Sequence, residues 1–216
     1  MDEAVSDAAF KPFLPDWIET AAEEARCVAL GMLRERGRGA VLVGVARVDA
    51  ALEALLKAAL ASPRGSETLF HTDRPLGSFG AKIALAARLG LIDAAVEQAL
   101  HNLRRVRNGF AHSTTPVCLA DPPYCDRLRE GVAQARRNLL WSPMEAILRN
   151  HLAAGDGAMP AQPQQLQVEP GLLDFILLIT ILVAFLETGA HTVRPVKPSL
   201  TMTLETGITQ RTGLTQ

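Results

Sequence analysis

"DAAVEQALHNLRRVRNGFAHS", Asp93 to Ser113, decides the fold. Val96, Leu100, Leu103, Val106 and Phe110 recur at intervals of 4, 3, 3 and 4. That is the period of one buried helical stripe, not of a strand. Asp93 opens the helix near its start, and Gly109 with "STTP" at 113–116 marks its end. The polar side of the same stretch is rich in chemistry: Arg104, Arg105, Arg107, Asn108 and His112.

The same period extends outward. Towards the N-terminus, "GSFGAKIALAARLGLID" predicts a short helix with Ser78 as N-cap, an inner stripe of Phe79, Ile83 and Ala86, and Gly90 as a left-handed C-terminal cap. Before it, residues 40–61 predict a central helix, apolar on most sides until Arg47. Its polar residues Asp49, Glu53 and Lys57 form a four-residue stripe, and Glu53 and Lys57 are spaced to pair. A first helix is expected from Pro15-Asp16 to about Arg36, with Trp17, Ala21, Ala25, Val28 and Met32 inward and "GRG" at 37–39 ending it. Two more helices follow Pro116: one opened by Pro122-Pro123, one with Ser142 as cap and Pro143 in first helical position.

Composition agrees with this reading. Apolar residues make up 48% of the 216 positions but aromatics only 5%, a mix that favours helices over sheets. The expectation is an all-α compact bundle of about six to seven helices with no sheet. Its parts are a flexible leader (1–14), the bundle (15–153), a Gly/Pro/Gln linker (154–169), an apolar helix packing on the bundle (170–188), and a disordered or extended tail (189–216) with seven threonines. The apolar helix has a charge-free run of twelve residues, Phe175 to Leu186. Such a run spans about 18 Å, short of a hydrocarbon core of about 30 Å. A buried core helix is therefore expected, not a membrane span.

A net charge of −1 gives no global field for nucleic acid. Cys27, Cys118 and Cys125 are too widely spaced for a disulfide framework or a zinc site. The acidic N-terminus lacks the form of a signal peptide, so a cytoplasmic protein without cofactor or metal is expected.

The polar patch has two readings. Arginines on an amphipathic helix commonly face water, and a His near a helix C-terminus suits the dipole. The chemical reading is metal-free RNA cleavage, with His112 as general acid or base, Arg107 holding phosphate, and Asn108 positioning. Arg104 and Arg105 would then contact nucleic acid or a partner. Arg104, Asn108 and His112 share a face, but Arg107 and His112, five residues apart, project about 140° from each other. They can meet only if the helix distorts at Gly109 or a second subunit intervenes. Asp49 is a candidate support for either group, although a solvated Asp beside Glu53 and Lys57 is the simpler expectation. "RPLGSFGAKI" lacks the phosphate-loop spacing and a preceding strand, so it reads as a capped helix start.

In order and spacing, "GAVLVGVARVDAALEALLKAAL", "LF", "RPLGSFGAKIALAARLGLI" and "LRRVRNGFAHS" resemble the mannitol-repressor (MltR-like) family over residues 38–113. "RNGFAH" also resembles the Arg-x4–6-His motif of HEPN domains. The first resemblance implies a helical bundle, usually dimeric, in a transcription-regulator family without an evident helix-turn-helix, acting through protein association. The second implies a metal-independent ribonuclease of a toxin–antitoxin or defence system, with RNA and an antitoxin as partners and Arg107, Asn108 and His112 as its site.

Overall fold

A computed structural model describes residues 16–35, 37–63, 65–154, 170–197, 200–203 and 207–210. The expected leader lies outside these residues, as does the linker apart from Ala154. The described residues form seven helices: α1 (Asp16–Glu35), α2 (Gly37–Ala59), α3 (Phe79–Arg88), α4 (Ala94–His112), α5 (Pro122–Ala135), α6 (Trp141–Ala154) and α7 (Leu172–Thr192). The all-α bundle is as the sequence predicted.

α4 shows why the pattern was legible. Asp93 Oδ1 accepts from Val96 N at 2.8 Å, satisfying an amide the helix leaves open. Leu100, Leu103, Val106 and Phe110 are all completely buried. α3 is bounded by the residues expected. Ser78 Oγ accepts from Ala81 N, and Gly90, at φ +68°, closes the helix. Gly90 N donates to Ala87 O and Leu91 N to Ala86 O, the paired bonds of a Schellman end.

α2 and α7 form the centre. α2 packs against α1, α3, α4 and α7, while α7 packs against α1, α2, α5 and α6. Phe175, Ile176, Ile179, Val183 and Leu186 have no exposed surface. Gly44 is required at the closest approach. A Cβ there would lie 2.7 Å from Met32 Sδ and 3.1 Å from Phe175 Cε1, so a side chain would push α1 and α7 away. Arg47 pairs with Glu187 at 2.7 Å across α2 and α7. α7 is long and apolar enough to cross a membrane by length and composition, and here it is mostly packed inside the bundle.

Three details differ from the sequence expectation. Gly37, expected to end α1, instead opens α2. α6 begins at Trp141, so Ser142 lies inside the first turn rather than capping it; Asn138 Oδ1 accepts from Leu140 N just ahead. Pro143 is tolerated there because first-turn amides have no helical acceptor. In the tail, where no sheet was expected, Leu200–Thr203 and Gly207–Gln210 pair as a two-stranded antiparallel hairpin. Threonine and Ile208 supply the β-branched content that permits it.

Candidate functional site

The polar face of α4 looks into a cavity of about 300 Å³ between α2, the turn before α3, and α4. α2 supplies Asp49, the turn supplies Gly77 and Ser78, and α4 supplies Arg104, Arg107 and Asn108. The last three are spaced i, i+3 and i+4, so one helical face carries all of them. Gly77 fits because the chain folds back on itself here. A Cβ at this position would collide with the backbone oxygens of His71 and Thr72.

Arg104 is the unusual group. Its Nε is buried without a hydrogen-bond partner. The side chain lies along the first turn of α3, with Cδ, Nε and Cζ 3.7–3.8 Å from where a Cβ on Gly80 would stand. Arg107 donates from Nη1 to Asn108 Oδ1 at 3.1 Å, and Arg105, exposed, donates to Asn102 Oδ1 at 3.3 Å.

His112 does not line this cavity. It is exposed at the last residue of α4, and no hydrogen bond or ion pair among the described residues engages it. The distortion that would carry it towards Arg107 does not occur within the chain: α4 is helical from Ala94 to His112. Gly109 has another purpose. A Cβ there would lie 2.6 Å from Tyr124 Cε1, and the Tyr124 ring sits edge-on to Phe110 with centroids 4.7 Å apart. Gly109 thus admits α5 onto α4. Beyond it, Arg38 of α2 donates to Ser113 O at 2.8 Å and fixes the exit of the helix.

Asp49 is placed by a residue the sequence reading did not single out. Lys82 Nζ, with a side chain only 5% exposed, donates to Asp49 Oδ1 and Glu53 Oε2, each at 2.7 Å. Lys57 holds the other Glu53 oxygen at 2.7 Å. Asp49 is therefore tied to α3 with part of its side chain still exposed, and it supports neither Arg107 nor His112 by an ion pair. Burial opposes charge on Glu53, but the hydrogen bonds and charges of Lys57 and Lys82 outweigh it and hold its carboxyl below the ordinary value of 4.5. Burial likewise opposes charge on Lys82, and Asp49 with Glu53 outweigh it, raising the ammonium above 10.5. The signal was present. Lys82 sits between Phe79 and Ile83 on an inward face, and Lys57 can cover only one of two carboxylates four residues apart.

The three cysteines form no disulfide, and no group of three or more His, Cys, Asp or Glu gathers as a metal site among the described residues. Comparison of the chain with protein-family models, curated proteins and solved structures finds no match.

Proposed function

We propose that the chain is a mannitol-repressor-like cytoplasmic regulator that acts through protein association, as a homodimer or with a protein partner, and not by RNA cleavage. One observation carries this. Arg107 is turned into the cavity with Arg104 and Asn108, while His112 stands outside it on an unbent helix. A general acid–base needs its partner within hydrogen-bond reach, about 2.6–3.2 Å or one water. The near-neutral charge and the resemblance over 38–113 support the same reading.

The second reading is a HEPN-type ribonuclease. It is favoured by the exposure of both Arg107 and His112, which leaves each accessible to a second subunit.

The test is transcript profiling after deletion of the coding gene, followed by complementation. Regulation predicts an altered transcript set, fully restored by the His112→Ala variant, whose side chain lies outside the cavity. Unchanged transcripts, or a stable His112→Ala variant that fails to restore them, would contradict it.

A further inference from the structure

The cavity between α2, α3 and α4 is lined by two guanidiniums, those of Arg104 and Arg107, and no carboxylate among the described residues pairs with either. Arg104 Nε is buried and unpartnered, and no ion pair joins Arg104 to Asp49, the one carboxylate lining the space. Lys82 already occupies Asp49 Oδ1. Arg107 lines the same space, and among the described residues its side chain is bonded only to Asn108. Ser78 and Phe79, at the positive end of the ten-residue α3, complete the wall, and no acidic residue stands in that first turn. Two guanidiniums, an amide side chain and a helix N-terminus together select an anion, and guanidinium geometry suits phosphate.

We propose that this cavity binds a small phosphate monoester bearing a hydroxyl group. Arg104 and Arg107 hold the phosphoryl oxygens at the α3 N-terminus. Asp49 Oδ2, left open by Lys82, accepts from the hydroxyl. About 300 Å³ lies at the small end of ligand pockets, which run about 300–1,000 Å³. That is room for a small ligand. The proposal stands independently of the regulatory reading.

The test is isothermal titration of the full chain at low ionic strength with inorganic phosphate, glycerol phosphate and glycerol. Saturable binding of both phosphates, tighter for the ester, and none of glycerol is the expected result. Arg104→Gln weakens both phosphates at least about tenfold, the scale of one lost charge-assisted hydrogen bond. Asp49→Asn keeps inorganic phosphate binding and abolishes the advantage of the ester. Arg107→Gln, at an exposed side chain, serves as the second variant should Arg104→Gln not fold, with the same direction expected. No saturable binding by about 10 mM, ten times a Kd of about 1 mM, would overturn the assignment. So would affinity unchanged in both arginine variants, or an oligonucleotide that binds more tightly than the ester and depends on Arg104.

Discussion

Replacing Lys82 by Met tests the link between α2 and α3. In the native protein one ammonium serves two carboxylates at 2.7 Å each, so the oxygens of Asp49 and Glu53 are at most about 5.4 Å apart, twice that bond. Without the ammonium they face each other. Two unit charges at this separation repel by about 3 kcal/mol at an effective dielectric of about 20. Their side chains are 31% and 25% exposed, and Lys57 still covers Glu53, so water and that partner reduce the figure. Lost attraction to Lys82 adds to it, and packing of the Met side chain offsets part. The expected loss at pH 7 is about 2–3 kcal/mol. For a chain of this size that corresponds to a fall in Tm of roughly 5–10 °C. Urea unfolding at pH 7 gives the first value, and repetition towards pH 3 gives the diagnostic one. Protonated carboxylates neither repel each other nor hold Lys82, so the gap between variant and wild type must close in acid. A Lys82→Met protein within about 0.5 kcal/mol of wild type at pH 7, or a gap independent of pH, would refute the reasoning.

Wild-type stability itself follows pH with a sign set by the two shifted groups. Glu53 has a lowered pKa, so its contribution is present above 4.5 and fades as pH falls through the folded value. Lys82 has a raised pKa, so its contribution is present below 10.5 and fades as pH rises through the folded value. Denaturant titrations should therefore show a plateau between, and Glu53→Gln should flatten the acid limb. Leu103→Ala, at a completely buried stripe position, should cost about 2–5 kcal/mol by the same measurement. Gly77→Ala must displace the backbone at His71 and Thr72, with an expected loss of about 1–3 kcal/mol read as a lowered Tm.

Where one helix carried its own signals, the sequence was sufficient. The α4 stripe, the Asp93 and Ser78 caps and the Gly90 terminus all describe local backbone chemistry, and all are present. Contacts between helices were less legible. Gly109 looked like a helix end, because a glycine near Ser113 and Pro116 usually is one; its partner Tyr124 is fifteen residues away on another helix. Asp49 looked solvated because its only visible neighbours on the same stripe were Glu53 and Lys57, whereas Lys82 arrives from α3. The α4 site was half readable. Helical spacing grouped Arg104 with Asn108 and separated Arg107 from His112, but the cavity wall at Gly77 and Ser78 depends on how α3 docks.

The separation of Arg107 from His112 is the centre of the functional account, and RNA cleavage measures it most directly. Purified full-length protein, Arg107→Ala and His112→Ala should be incubated without added metal with single-stranded and structured RNA across a range of pH. The account predicts that all three leave RNA intact to the same background level. Cleavage by the wild-type protein that disappears in either folded variant would contradict it and assign Arg107 and His112 to a shared active site.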